Sequence, residues 1–212
     1  EIRQLVARQR AYFQSGATLP ARARVEALRA LRSAVAAREE ELNDALRADL
    51  GKSAFESYMC EVGMVLSELT YMIRRTPAFA ADRRVRTPLA QFAARSYVKP
   101  SPYGTVLIMS PWNYPLLLTL DPLIDALAAG NTAVVKPSAY SPATSRVIAR
   151  LLAECFPPEH VSVVTGGRQE NACLLEEKFD YIFFTGSQAV GREVLLHAAQ
   201  YLTPVTLELG GK

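Results

Sequence analysis

The chain has 212 residues, half of them hydrophobic, and a formal net charge of +3 from 24 basic and 21 acidic side chains. This length and apolar content suffice to bury a core in one or two domains. The charges are nearly balanced, and the basic cluster Arg83, Arg84 and Arg86 has no interleaved aromatic residues, so no nucleic-acid partner is expected.

Membrane and metal-binding functions are not expected either. No apolar run reaches the length of a membrane span, and no signal peptide opens the chain, because Glu1 leads into a charged, arginine-rich segment. The cysteines, Cys60, Cys155 and Cys173, are odd in number and lack the spacing of a metal site. They fit a reducing compartment, so we expect a cytoplasmic protein.

Residues 1–80 are predicted to be helical and to pack on the domain that follows. An apolar stripe over residues 25–50 recurs at helical spacing among arginines and glutamates, and Gly51 supplies a stop. A second stripe covers residues 55–73, with Pro77 expected just beyond the end of that helix.

The pattern changes twice after this helical segment. Residues 81–103 contain scattered prolines and arginines and a short polar–apolar alternation, which predicts a linker or a hairpin. Residues 104–212 alternate apolar runs with amphipathic stretches, which predicts an α/β domain with a parallel sheet. Ligands of such sheets bind beyond the carboxyl ends of the strands. The predicted strands are 105–109, 132–135, 161–164, 181–184 and 205–209, and the predicted helices include 116–129, 143–155 and 169–175.

Gly186 and Ser187 lie where a predicted strand passes into a predicted helix. Free backbone N–H groups and the positive end of the helix dipole can face an anion there, and Gly186 lacks the Cβ that would block a close approach. The Ser187 hydroxyl can cap the helix or donate to a phosphate oxygen. An ordinary cap stays an open alternative, because the segment does not fit G-x-G-x-x-G.

Polar residues follow the other strands as well. Asn113 lies in a turn between two prolines, where its side chain can donate to an oxyanion or cap the next helix. Lys136 follows a buried strand and can reach ribose hydroxyls or a phosphate, or extend to solvent. Gly166 and Gly167 form a turn that lets the backbone approach a ligand. Glu208 ends the last strand, where burial would suit it to act as a general base, unless it pairs with Lys212.

Four motifs together resemble the aldehyde dehydrogenase superfamily. They are Ser-Pro-Trp-Asn-Tyr-Pro at 110–115, Val-Val-Lys-Pro-Ser at 134–138, Phe-Thr-Gly-Ser-Gln-Ala-Val-Gly at 184–191 and Leu-Glu-Leu-Gly-Gly-Lys at 207–212. Residues 52–59 and 201–212 are most similar to the class 3, fatty-aldehyde branch. The resemblance implies N-terminal helices followed by a Rossmann-like parallel sheet with helices on both faces.

The resemblance also implies oxidation of an aldehyde to a carboxylic acid with NAD or NADP. Asn113 would donate to the oxyanion formed by attack of a cysteine thiolate, and Glu208 would activate the water that hydrolyses the thioester. Lys136 would bind the adenosine ribose. The other implied coenzyme-binding residues are Ser110, Pro111, Trp112, Ser138, Gly166, Gly167, Phe184, Gly186, Ser187, Val190, Leu209 and Gly210.

The residue at position 139, here Ala139, is predicted to influence the preference between NAD and NADP. Many NAD-specific members of the family carry a glutamate at this position, where its charge repels the 2′-phosphate of NADP. Here Ala139 is followed by Tyr140, so that repulsion is missing while Lys136 remains to attract a phosphate. Both coenzymes are therefore expected to be accepted.

The resemblance further implies that the chain is part of a longer protein. Family members are about twice as long, more than one ordinary domain, and their nucleophilic cysteine follows the Glu-Leu-Gly-Gly-Lys motif. The 212 residues alone are expected to oxidise no aldehyde, to bind dinucleotide weakly and to self-associate. The intact protein would be a homodimer, with residues 83–102 in its oligomerisation element.

Two other functions stay open at this point. A CoA-acylating relative would pass the thioester to a thiol, although Glu208 favours hydrolysis, and a product assay with and without CoA separates the two. A free-standing nucleotide-binding module would carry out no chemistry, and the coding sequence beyond Lys212 distinguishes it. The aldehyde is not identified, because the missing part builds most of the substrate funnel.

Overall fold

The computed structural model describes residues 1–210, so Gly211 and Lys212 lie outside the described residues. Its helices are α1 (Ile2–Gln14), α2 (Ala21–Ala37), α3 (Glu39–Leu50), α4 (Ala54–Ser57), α5 (Gly63–Phe79), α6 (Leu117–Ala129), α7 (Pro142–Cys155), α8 (Arg168–Leu175) and α9 (Gln188–Ala199). A π-helical turn, Tyr58–Val62, joins α4 to α5. The strands are β1 (Arg83–Val85), β2 (Ser96–Val98), β3 (Thr105–Met109), β4 (Thr132–Lys136), β5 (Val161–Val163), β6 (Tyr181–Ser187) and β7 (Val205–Gly210).

Five parallel strands form the main sheet in the order β5-β4-β3-β6-β7, which confirms the predicted α/β fold. Leu107 of β3 pairs with Val134 of β4 on one side and with Ile182 of β6 on the other. The chain runs outward from β3 through β4 and β5, and then in the opposite direction through β6 and β7. The strand order therefore reverses between β3 and β6, and open α/β sheets bind ligands at such a switch point.

Helices cover both faces of this sheet, as predicted. On one face α6 and α7 pack on the strands, and α2, α3 and α5 form an outer layer on these two helices. On the other face α1, α8 and α9 contribute Val6, Leu174 and Val194 to a second apolar cluster. Within residues 1–210, no helix has the length and apolar character needed to cross a bilayer.

The segment after the N-terminal helices contains a hairpin, one of its two expected forms. β1 and β2 pair antiparallel, with Arg83 opposite Val98 and Val85 opposite Ser96. The segment between these strands exposes Leu89 and Phe92 to solvent. An exposed ribbon with apolar side chains suits pairing with another chain, and its part in oligomerisation stays a prediction.

Two predicted helix boundaries are wrong. The stripe over residues 25–50 is divided between α2 and α3 at Arg38, whose backbone leaves the helical region with φ −116° and ψ 23°. Pro77 lies inside α5 rather than beyond it. The helix tolerates this proline because the single hydrogen bond that it removes falls in the last turn. Gly51 does end α3, in the left-handed conformation with φ 69°.

Candidate functional site

A cavity of about 140 Å³ lies at the carboxyl ends of β3, β4 and β5, against β6. These strands are parallel and end at one edge of the sheet, so the turns that follow them surround a common space. The lining residues are Met109, Ser110, Lys136, Pro137, Ser138, Ala139, Tyr140, Gly166, Gly167, Arg168, Asn171 and Phe184.

The cavity brings together six of the predicted coenzyme-binding residues: Ser110, Lys136, Ser138, Gly166, Gly167 and Phe184. The remaining predicted residues do not line it: Pro111, Trp112, Gly186, Ser187, Val190, Leu209 and Gly210, together with the predicted catalytic pair Asn113 and Glu208. Coenzyme binding by the thirteen residues, and the catalytic roles of Asn113 and Glu208, stay predictions.

Lys136 is buried, which excludes the alternative of a lysine extended to solvent. Its Nζ donates to the carbonyl oxygens of Pro137, at 2.9 Å, and Gly166, at 2.8 Å. Burial lowers the pKa of this ammonium group, and the nearby charge of Glu170 acts in the opposite direction. A cation held beside the cavity in this way suits hydroxyl or phosphate oxygens.

The turn after β5 depends on Gly166 and Glu170. Gly166 has φ 131°, and an added Cβ would lie 2.4 Å from the Glu170 carboxyl group, so only glycine fits. The Glu170 carboxylate accepts a hydrogen bond from the Gly167 N–H at 2.6 Å. Hydrogen bonds from the backbone N–H groups of Glu170 and Gly167 lower the pKa of this carboxyl group. A Cβ at Gly167 would meet no atom within 4 Å, so this residue borders open space.

Sequence reasoning missed two polar residues of the cavity, Arg168 and Asn171, which lie on α8. The Asn171 Oδ1 atom is buried and has no hydrogen-bond partner among the described residues. A buried acceptor of this kind is costly unless a ligand or water donates to it. Both residues come just after the Gly166-Gly167 turn, and this position could have pointed to the site. It is not a specific indication, because surface helices commonly begin with polar residues.

Gly186 and Ser187 belong to a strand rather than to a free loop. β6 does not end at Phe184, because Gly186 and Ser187 continue its pairing with β7. The Ser187 Oγ accepts from the Val190 N–H at 3.4 Å, so this hydroxyl caps α9. An added Cβ at Gly186 would lie 2.6 Å from the Phe184 ring, so packing already requires glycine here. A phosphate contact at this junction stays a prediction.

Asn113 lies on the exposed turn between β3 and α6. It does not cap the following helix. Instead, the carboxylate of Glu61 accepts from the N–H groups of Leu116 and Leu117, at 2.8 and 3.1 Å. The Asn113 carboxamide forms no hydrogen bond to any residue within 1–210, so its donors remain available to a ligand oxygen.

Glu208 is exposed, so the expectation that it is buried is wrong. It lies on β7, which is an edge strand paired only with β6, and the described part of the chain leaves its carboxylate uncovered. The alternative ion pair with Lys212 falls outside the described residues. An exposed carboxylate at this edge of the sheet has access to water.

The sequence as a whole was also compared with known protein families. Residues 1–212 match the pattern of the family described as "Aldehyde dehydrogenase family". The chain belongs to the aldehyde dehydrogenase family. The cavity at the switch point of its sheet is lined by six of the residues that were predicted to bind the coenzyme.

Curated aldehyde dehydrogenases resemble the chain over almost its whole length. "Aldehyde dehydrogenase family 3 member A2" of Mus musculus is 44% identical over 207 residues, which cover 98% of this chain and 43% of the relative. "Aldehyde dehydrogenase, dimeric NADP-preferring" of Canis lupus familiaris is 43% identical over 213 residues, covering 100% of this chain and 47% of the relative. The chain thus spans less than half the length of these aldehyde dehydrogenases, and the resemblance to class 3 is confirmed.

Solved aldehyde dehydrogenase structures share the fold. The substrate-bound state of Staphylococcus aureus AldH superposes with a TM-score of 0.98 at 42% identity, covering 100% of this chain and 46% of that one. A Mycobacterium tuberculosis aldehyde dehydrogenase complexed with NAD+ gives a TM-score of 0.86 at 33% identity, covering 98% of this chain and 43% of that one. These similarities confirm the Rossmann-like fold.

None of the three cysteines of this aldehyde dehydrogenase chain lines the cavity at the switch point. Cys155 borders a different cavity, of about 270 Å³, which is also lined by Arg24 and His160 and contains none of the predicted site residues. Burial raises the pKa of the Cys155 thiol, which disfavours the nucleophilic thiolate. Cys60 is half-buried in the π-helical turn, and Cys173 is exposed on α8.

Proposed function

We propose that this chain is the coenzyme-binding part of an enzyme that oxidises an aldehyde to a carboxylic acid with NAD or NADP. The observation that carries this proposal is the cavity where Lys136, Ser138 and the Gly166-Gly167 turn meet, in a chain of the aldehyde dehydrogenase family. The intact enzyme is this chain together with a further part that carries the nucleophilic cysteine.

The polar residues of the cavity suit the phosphate and ribose groups of a dinucleotide. Lys136 and Arg168 supply positive charge for phosphate oxygens, and the unpartnered Oδ1 of Asn171 can accept from a ribose hydroxyl. When bound, the coenzyme accepts the hydride that the substrate loses. The similar Mycobacterium tuberculosis structure is a complex with NAD+, and a similar protein is named NADP-preferring, which supports the use of either coenzyme.

The catalytic roles extend from the same edge of the sheet. A cysteine outside residues 1–212 would attack the carbonyl carbon of the aldehyde, and Asn113 would donate to the oxyanion that forms. Loss of hydride leaves a thioester on that cysteine. Glu208 would take a proton from the water that attacks the thioester, which releases the acid and the thiol. The exposure of Asn113 and Glu208 supports these roles, because both side chains are open to a second domain.

Assembly and location are proposed on separate grounds. The intact enzyme would be a homodimer in which the β1–β2 hairpin pairs with the other subunit, and one similar protein is named dimeric. A cytoplasmic location is proposed from the cysteine content alone.

Filling the cavity should weaken coenzyme binding to the intact enzyme. In Gly167→Leu the new side chain meets no atom at its Cβ and so enters open space. We expect the Kd for NAD+, measured by titration calorimetry, to rise by about tenfold or more, since about 1.4 kcal/mol is tenfold.

The matched control is Ala23→Leu, which places the same side chain in the larger cavity beside Cys155. It should leave the Kd for NAD+ unchanged. The reverse pattern would place the coenzyme in the larger cavity and contradict the proposed function.

Coenzyme choice should respond to charge at Ala139, which lines the cavity. The intact enzyme is expected to use NAD and NADP with kcat/KM values within roughly a thousandfold, about 4 kcal/mol. Ala139→Glu should lower kcat/KM for NADP by about tenfold or more and change that for NAD little, because the carboxylate repels the 2′-phosphate. The control Ala139→Gln adds a similar volume without charge and should preserve NADP use. A preference for NAD beyond a thousandfold in the unchanged enzyme would refute the prediction.

A further inference from the structure

An ion pair between Lys52 and Glu61 is buried beneath the turn that carries Asn113. The Lys52 Nζ donates to Glu61 Oε1 at 2.6 Å, and the side chains are 9% and 0% exposed. Burying two charges is expensive, and such a pair often stabilises a fold no better than apolar residues of similar size. We therefore infer the role of this pair from the groups that it contacts, and not from a contribution to the stability of the fold.

Both charged groups direct their remaining contacts at the turn and at the start of α6. Lys52 Nζ also donates to the Asn113 carbonyl oxygen, at 3.1 Å, and lies 4.1 Å from the centroid of the Tyr114 ring. Glu61 Oε2 accepts from the first backbone N–H groups of α6, as described above. The pair is thus hydrogen-bonded to the backbone at Asn113 and again at Leu116 and Leu117.

A π-helical turn places Glu61 in this position. The Gly63 N–H donates to the Tyr58 carbonyl oxygen, which closes the wide turn around Glu61. An added Cβ at Gly63 would lie 2.8 Å from that same oxygen, so the turn requires glycine. Single π-helical turns within α-helices occur frequently at functional sites.

The position of Asn113 depends on its backbone. Its carboxamide has no hydrogen bond within residues 1–210, so no neighbouring side chain in this part of the protein fixes it. An oxyanion donor must lie within a narrow distance range of the developing charge, and small displacements cost catalysis heavily.

We propose that Lys52 and Glu61 are positioning residues that fix the Asn113 backbone, and through it the donor to the oxyanion. This inference rests on the proposed function, which gives Asn113 that role. Neither residue touches the reacting atoms, so both act through Asn113. Their loss should slow the formation of reduced coenzyme in the first turnover and leave coenzyme affinity unchanged.

The test is a mutant cycle in the intact enzyme. Glu61→Gln places an amide NH2 against either the Lys52 ammonium or the α6 N–H groups, so one donor always opposes another. With saturating coenzyme we expect the first-turnover rate of coenzyme reduction to fall by about ten- to a hundredfold. In an Asn113→Ala background, the same substitution should change that rate less than about threefold, because the group that it positions is already gone.

Asp49→Asn is the matched control. The Asp49 carboxylate accepts from the N–H groups of Ala143 and Thr144, at 3.0 and 2.7 Å, and so caps α7 as Glu61 caps α6. We expect Asp49→Asn to lower the Tm and to leave the first-turnover rate unchanged. If Glu61→Gln does not fold, Lys52→Met combined with Glu61→Gln removes both charges together, and the same comparison applies.

The outcomes separate the inference from the proposed function. An equal fall in both backgrounds, or an equal fall in Asp49→Asn, would overturn the positioning role while the oxyanion role of Asn113 stands. An unchanged first turnover in Asn113→Ala alone would overturn the oxyanion role, and the positioning role with it.

Discussion

Replacing Asn113 by alanine in the intact enzyme should slow the first turnover by on the order of a hundredfold or more, about 2.7 kcal/mol of transition-state stabilisation. The side chain lies on the exposed turn after β3, and among residues 1–210 no hydrogen bond occupies its donors. Without the donor, the oxyanion forms less readily, so acylation itself becomes slow. Stopped-flow measurement of reduced coenzyme should show no burst.

Asn171→Ala gives the reciprocal control for this prediction. Asn171 lines the cavity that we propose holds the coenzyme, whereas Asn113 does not. Asn171→Ala should therefore raise the Kd of the coenzyme and spare the first turnover once coenzyme is saturating. Asn113→Ala should do the opposite. If Asn113→Ala acts only by raising the coenzyme Kd, its assignment as the oxyanion donor is wrong.

Glu208→Gln should fail at a later step than Asn113→Ala. Removing a general base should slow thioester hydrolysis by about a hundredfold or more, while acylation and hydride transfer proceed. We expect a full burst of reduced coenzyme in the first turnover, followed by a slow steady state. Added CoA or another thiol should then release the trapped acyl group as a thioester.

Glu193→Gln controls for the loss of an exposed carboxylate, because Glu193 is also exposed but lies on α9. Its burst and steady state should match those of the unchanged enzyme. Identical single-turnover kinetics in Glu208→Gln and Asn113→Ala would contradict the division of roles. A CoA requirement in the unchanged enzyme would instead favour the CoA-acylating alternative.

Periodicity and turn residues predicted much of the fold because they act locally. Apolar runs and amphipathic stretches in alternation predicted the parallel sheet, and the predicted stop Gly51 ends α3 in the left-handed conformation that glycine adopts most readily. Lys136 and the Gly166-Gly167 turn were found for a similar reason. Each follows a strand directly, and parallel strands bring their carboxyl ends to one edge.

Local patterns were thus enough to predict the α/β alternation, the edge of the sheet that carries the candidate site, and the resemblance to the family. Which side chains meet at that edge depends on how distant segments pack. Glu208 is exposed because β7 is an edge strand, and strand order is not a local property. Lys52 and Asn113 are 61 positions apart, yet a hydrogen bond joins them. Such a contact forms only when the segment after α3 packs against the turn after β3, and no periodicity within a single segment records that packing.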